Sequence, residues 1–310
     1  HSIRRRQRQM CIRDSASSVA EKLDPVEKPE EPVGSVSLMT LDSSIYDNDV
    51  YVSLEGEEAT IITNKQWDIE IAQSGIKTNT AVVGGLHVVD KSFDDVAESD
   101  LPTDDTAWEA KLVGKTVPYS TQKTFIAMFP GEFNHMTREY GAPSYRKFGL
   151  TYNPTTHATG VVQSDLNGDN KKEVSGYGLY SLQEGKNVEL AIPEKWDILF
   201  GGYKTLLEGG TEYSVRGALT NQVHKIEVAI DTVTAWKDIS ADSAYEYSDK
   251  IDAIGHAWKS YAGGAYQVPE NKIYVLKYDD GKMYKLKFLN FYNESSTQGF
   301  PQFQYQLIAE

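Results

Sequence analysis

The segment between Lys272 and Ile308 restricts the fold of this chain more than any other feature. Tyr284, Leu286 and Phe288 alternate with Lys285 and Lys287, the two-residue period of a strand with one face in a core. An apolar arm, Ile273 to Tyr278, precedes them, and Asp280-Gly281 between the arms supplies the positive-φ positions of a tight hairpin. A third arm, Phe303 to Ile308, alternates in the same way after a turn placed at Gly299 and Pro301. A meander of this kind predicts an all-β, antiparallel, sandwich-like fold. Few stretches elsewhere hold a 3.6-residue period. The one helical candidate, residues 240–251, is short.

At 310 residues with 40 % hydrophobic content and 19 tyrosines, the chain has material for one large or two ordinary β domains. Its net charge of −14 argues against a nucleic-acid partner, which would need clustered lysine and arginine. No apolar run approaches the roughly 18 residues of a membrane-spanning helix. Residues 1–15 stand apart, with five arginines and one aspartate giving a local balance of +4. No apolar stretch follows them as a signal peptide requires, and Arg5 to Ser15 resembles translated sequencing-adapter sequence. This segment is read as non-native. Cys11, the only cysteine, lies within it, behind Arg8, Gln9 and Met10 and not behind the small apolar run of a lipid-modified export cysteine. The body therefore has no disulfide, thiolate metal site or cysteine nucleophile. Residues 16–42 read as an acidic tether, with Pro25, Pro29 and Pro32 among glutamates. An export signal is expected to lie outside this chain.

The body repeats itself. Tyr51 to Gly56 is followed by Trp67-Asp68-Ile69, and Tyr180 to Gly185 by Trp196-Asp197-Ile198, with eleven residues from glycine to tryptophan each time. Further on, Phe93-Asp94-Asp95-Val96 answers Trp236-Lys237-Asp238-Ile239. Two related β units are expected, 43–164 and 174–310, joined by a linker turn at 165–173. The first unit loses the pattern after Trp108.

The second unit resembles the HmuY-like haem-binding proteins of Bacteroidetes surfaces. The likeness is carried by Tyr180 to Gly185, Trp196-Asp197-Ile198, Val228 to Asp231, Trp258 to Tyr261, and Ile273 through Tyr305. The first unit resembles the same family more weakly, through Trp67 to Ile69, Thr78-Asn79, Gly84-Gly85 and Phe93 to Val96. The resemblance implies an all-β, exported, outer-membrane-anchored lipoprotein. It also implies a function, in which haem is taken from host haemoproteins for a TonB-dependent receptor.

Family members hold haem iron between axial His or Met side chains in an apolar cleft, with polar contacts to the propionates. The family's ligand-bearing loop after Trp258 is here Ala262-Gly263-Gly264-Ala265, without His or Met, and His224 and His256 suit structural roles better. The candidate cofactor-binding residues are instead His135, Met136 and His157. Phe129, Phe133 and Tyr140 are the rings to wall a porphyrin, and Arg138, Arg146 and Lys147 the cations to meet propionates. Asp165, Asn167 and Asp169 have the spacing of a calcium loop, but Gly176 stands where its bidentate glutamate belongs and Lys171 and Lys172 oppose a dication. No nucleophile elbow, zinc-protease helix, P-loop or dinucleotide fingerprint is present, so no enzyme activity is expected. Trp108, Trp236, Trp258 and Tyr261 would stack on sugars if exposed. Two functions remain: a haem carrier, or a surface adhesion or ligand-binding module of the same fold without haem.

Overall fold

The computed structural model describes residues 36–309, apart from 73–74, 119–120, 135, 138, 154–157, 176–177 and 207–209. The chain opens with β1 (Ser37–Thr40), β2 (Asn48–Ser53), β3 (Glu58–Thr63), β4 (Ile69–Ala72), β5 (Gly75–Thr78) and β6 (Gly85–Val89). Then come β7 (Thr124–Phe129), β8 (Phe133–Asn134), β9 (Glu139–Tyr140), β10 (Ser144–Asn153), β11 (Ala158–Ser164) and β12 (Lys172–Ser175). The later strands are β13 (Gly178–Ser181), β14 (Lys186–Val188), β15 (Ile198–Leu206), β16 (Glu212–Thr220) and β17 (Glu227–Asp231). The chain closes with β18 (Ser260–Ala262), β19 (Ala265–Gln267), β20 (Ile273–Lys277), β21 (Met283–Tyr292) and β22 (Gln298–Ala309). Among the described residues the only helices are five single 3-10 turns. The fold is all-β and antiparallel, as the meander predicts.

The helix expected over 240–251 does not form. That segment carries turns and an isolated bridge between Val228 and Ser248. Tyr245 and Tyr247, two apart, pack on the cluster of Ala229, Ile239 and Val275, a spacing that suits extended backbone. The C-terminal hairpin forms with positive φ at Gly281 alone. The turn before β22 also differs from expectation: Asn293 to Thr297 makes it, and Gly299 and Pro301 lie inside the strand. Gly299 has φ +102°, and a Cβ there would stand 2.7 Å from the Ser44 Cα, so only glycine fits.

The sheets form two sandwiches. In one, β1-β22-β21-β20-β17 faces β16-β15-β2-β3 across Val52, Phe200, Trp258, Leu286 and Phe303. In the other, β12-β11-β10-β7-β6 faces β14-β13-β4-β5 across Ile69, Ile71, Phe125, Phe148 and Tyr180. The second sandwich uses one continuous stretch, β4 to β14. The first is assembled from β1–β3 and β15–β22, on either side of it. Residues 165–173 thus lie in the connection between β11 and β12 and in the start of β12, within one sheet.

Each strand of one sandwich has a counterpart in the other, and the first copy keeps the pattern past Trp108. Lys147 on β10 donates to Val96 O at 2.7 Å, with its ammonium 5.0 Å from the Phe93 ring. Lys285 on β21 donates to Trp236 O at 2.7 Å, 4.8 Å from the Trp236 ring. Asp68 accepts from the Leu182 N–H at 2.6 Å, and Asp197 from the Leu54 N–H at 2.7 Å. Asn79 and Asn221 likewise donate through Nδ2 to the carbonyls of Trp67 and Trp196. These bonds make Leu54 the counterpart of Leu182, and therefore Val52, not Tyr51, the counterpart of Tyr180. The equal glycine-to-tryptophan spacing conceals a one-residue difference between the two turns: the Gly56 N–H bonds the Ser53 hydroxyl, whereas the Gly185 N–H bonds the Ser181 carbonyl.

Candidate functional site

The β8–β9 hairpin grows from the end of β7. At its base Gly131 lies so close to Gly141 that an added Cβ would meet the Gly141 carbonyl oxygen at 2.2 Å. At its tip the Asn134 Oδ1 accepts from the N–H groups of Met136 (2.9 Å) and Thr137 (3.2 Å), a side-chain turn that fixes the reversal. Met136 is 92 % exposed, so its thioether faces solvent. His135, Arg138 and His157 lie outside the described residues. Tyr140 is exposed, whereas Phe129 is buried in the core of the continuous sandwich.

The topology separates the roots of the two donor-bearing loops. Phe129, where the hairpin leaves, pairs with Ser144 at the start of β10, and the turn carrying position 157 joins Asn153 to Ala158 at its end. A ten-residue strand rises about 30 Å. Two of the cations read as propionate partners are engaged elsewhere. Arg146 forms an ion pair with Asp165 at 2.6 Å, and Lys147 is buried on Val96 O. The loop with calcium-like spacing closes on itself. Asp165 also accepts from Asn170 Nδ2 at 2.7 Å, and Asp169 accepts from Asn167 Nδ2 at 2.7 Å. Among the described residues no three acidic or imidazole side chains converge as metal ligands.

The loop after Trp258 is the β18–β19 hairpin, turning at Gly263 and Gly264, both with positive φ. Tyr261 pairs with Tyr266 across it, rings 5.1 Å apart, and is 52 % exposed. Beneath lies Lys259, its ammonium 4.4 Å from the Trp258 ring and 4.8 Å from Phe291, donating to Arg216 O at 3.2 Å. Burial, aided by the Arg216 charge, pulls the Lys259 pKa down to about 8. Arg216 donates to Tyr46 O and Asn48 O and rests against the Tyr46 ring. Tyr46, Tyr213 and Tyr261 thus form an exposed phenolic face over two cations that join no ion pair among the described residues. Sequence spacing does not reveal this face, because its residues come from three separate segments. Trp108 and Trp258 are core residues and Trp236 lies under Lys285, so of the four aromatics considered for sugar stacking only Tyr261 is presented.

Asp49 stands behind this face, accepting from Asn64 Nδ2 at 2.7 Å. Burial raises its pKa from 3.8 to about 6, against the opposing effects of Asn64 and Arg216. The folded protein therefore takes up this proton near pH 6 and the unfolded chain only near 3.8, so acidification through that window stabilises the fold. Above the window the buried charge costs about 3 kcal/mol. Asp49→Asn is expected to raise the urea midpoint at pH 7 and to leave it nearly unchanged at pH 4. Equal shifts at both pH values would rule out the titration.

A family model described as HmuY protein matches residues 45–305. Among solved structures, apo PinO from Porphyromonas gingivitis is 13 % identical with a TM-score of 0.38, covering 89 % of this chain and 99 % of that one. The apo HmuY analogue TFO of Tannerella forsythia is 12 % identical with a TM-score of 0.27, covering 92 % and 100 %. A Bacteroides vulgatus protein described as HmuY-like and heme binding is 13 % identical with a TM-score of 0.23, covering 91 % and 97 %. No curated protein matches the chain.

Proposed function

The chain belongs to the HmuY family, and on that premise we propose that it is a non-enzymatic haem-binding protein of iron acquisition. The family match over residues 45–305 carries this reading. In it the protein is exported and held at the outer-membrane surface. It takes haem from host haemoproteins and passes it to a TonB-dependent receptor. The proposed axial donors are His135 or Met136 on the β8–β9 hairpin and His157 on the β10–β11 turn. For both loops to reach one iron, the hairpin must fold back along the sheet from the far end of β10. An imidazole or thioether donor, bound to ferric or ferrous iron, gives a sharp Soret band in each oxidation state.

A second reading, a ligand-binding surface module without haem, is favoured by the 262–265 loop. It carries no His or Met and stands beside the phenolic face of Tyr46, Tyr213 and Tyr261. Haemin titrated into the full chain and followed by Soret absorbance separates the two. The haem reading expects a saturable band, lost or weakened at least about tenfold in His135→Ala, Met136→Ala or His157→Ala. Loss in Tyr261→Phe instead would move the site to the phenolic face. A spectrum of free haemin, unchanged by all four substitutions, would leave the second reading.

A further inference from the structure

Lys259 is a cation whose setting the fold alone does not explain. Its ammonium lies 4.4, 4.8 and 5.6 Å from the ring centroids of Trp258, Phe291 and Tyr266, and donates to Arg216 O at 3.2 Å. A lysine so enclosed is normally paired with a carboxylate. Here the charge that acts on it is a second cation, Arg216. The rings attract an ammonium but leave its charge in place. Arg216 feels Asp49, buried behind it, and Asp47, which is already paired with Lys65 at 2.7 Å. Two cations against one buried carboxylate leave positive charge unmatched beneath an exposed surface, in a chain whose net charge is −14.

That surface is aromatic and carries hydroxyls. The Tyr266 phenol has those of Tyr46, Tyr213, Tyr261 and Tyr292 as electrostatic neighbours, which places five phenols together over the cation pair. The Tyr266 N–H donates to the Tyr292 hydroxyl at 2.6 Å and so ties the β18–β19 hairpin to β21. Its rings meet at steep angles, 65° between Tyr261 and Tyr266 and 78° between Tyr266 and Phe291. These pairs therefore offer separate ring faces and not the parallel walls that would clasp a flat macrocycle. A single ring face with hydroxyls beside it suits a pyranose. The C–H face of the sugar packs on the ring, and its hydroxyls exchange hydrogen bonds with the phenols. A carboxylate on the same sugar would supply the charge that Lys259 and Arg216 lack.

We propose that the phenolic face binds a pyranose carboxylate, a uronic or sialic acid unit of a glycan, with its ring on Tyr261 and its carboxylate at Arg216 and Lys259. The inference rests on the second reading above, the surface module without haem, and names its ligand.

The test is calorimetric titration of the full chain with 3′-sialyllactose, trigalacturonic acid and neutral lactose. At least one acidic saccharide should bind saturably, at least about tenfold tighter than lactose, and the one that binds identifies the sugar. Raising sodium chloride to about 0.5 M should weaken that binding about three- to tenfold. Lys259→Met, which keeps the volume and removes the charge, should weaken it at least about tenfold, and Tyr261→Ala, on an exposed hairpin, about three- to tenfold. No saturable binding of either acid at millimolar concentration, equal affinity for lactose, or binding untouched by both variants would overturn the proposal. If Lys259→Met loses its native circular dichroism, Tyr261→Ala and the salt dependence decide. Haemin titration separates the two failures. A Soret band lost in Tyr261→Ala would give the face to porphyrin and overturn both this inference and the reading beneath it. A free-haemin spectrum without sugar binding would overturn this inference alone.

Discussion

Asp68→Ala should lower stability by about 3–5 kcal/mol, and Asp197→Ala by about 2–3 kcal/mol. The Asp68 carboxylate is 1 % exposed and accepts from the N–H groups of Leu182 (2.6 Å) and Gln183 (3.2 Å) and from the Ser181 hydroxyl (3.3 Å). Hydrogen bonds to a charged acceptor contribute about 1.5–3 kcal/mol each, and deleting the acceptor leaves buried donors without partners. Asp197 holds the equivalent turn at Leu54 through one backbone bond, hence the smaller figure. Burial raises the pKa of both carboxyls, desolvation outweighing the bonds they accept. Chemical denaturation at pH 7 measures both losses. An Asp68→Ala cost no greater than that of Asp197→Ala would refute the ranking.

Trp258→Ala should cost about 3–5 kcal/mol, the range for truncating a fully buried aromatic. Trp258 is 1 % exposed and stacks on Phe288 at 4.2 Å with Phe291 edge-on at 5.4 Å. The Lys259 ammonium loses the ring beneath it, so two effects of the same sign combine. In a chain of this size that cost should lower the melting temperature by about 5–9 °C. A melt within two or three degrees of the parent, with native near-ultraviolet dichroism, would show that the cavity collapses or that the ring is not packed as described.

The strands of the C-terminal meander were legible because their alternation reports burial directly. The same alternation misleads at Lys285, which is 4 % exposed: both faces of that sheet are covered, and a 3-10 turn receives the ammonium. The repeat was legible from Trp-Asp-Ile and its surroundings, although its phase was off by one. That Asp68 and Asp197 each cap the turn before the next tryptophan-bearing element, in different chain orders, needs a sheet to be seen. Loop residues such as Met136 obey no period, so sequence could suggest the hairpin as a site but not its position at one end of β10.

The divided sandwich fixes an order of events during synthesis. Strands β1 to β3 emerge first, yet their partners are the last to be made: Ser37 pairs with Tyr305 and Val52 with Ile198. The continuous sandwich can close on itself as soon as β14 is complete, while three earlier strands still have exposed edges. Such edges invite pairing with other chains until the C-terminal strands arrive. The entropic cost of closing so long a loop grows only slowly with its length, so the delay is one of time more than of final stability. A ribosome stalled after β14 would therefore carry one finished sandwich and a waiting hairpin, the state in which this chain is most exposed to aggregation and has most need of a chaperone.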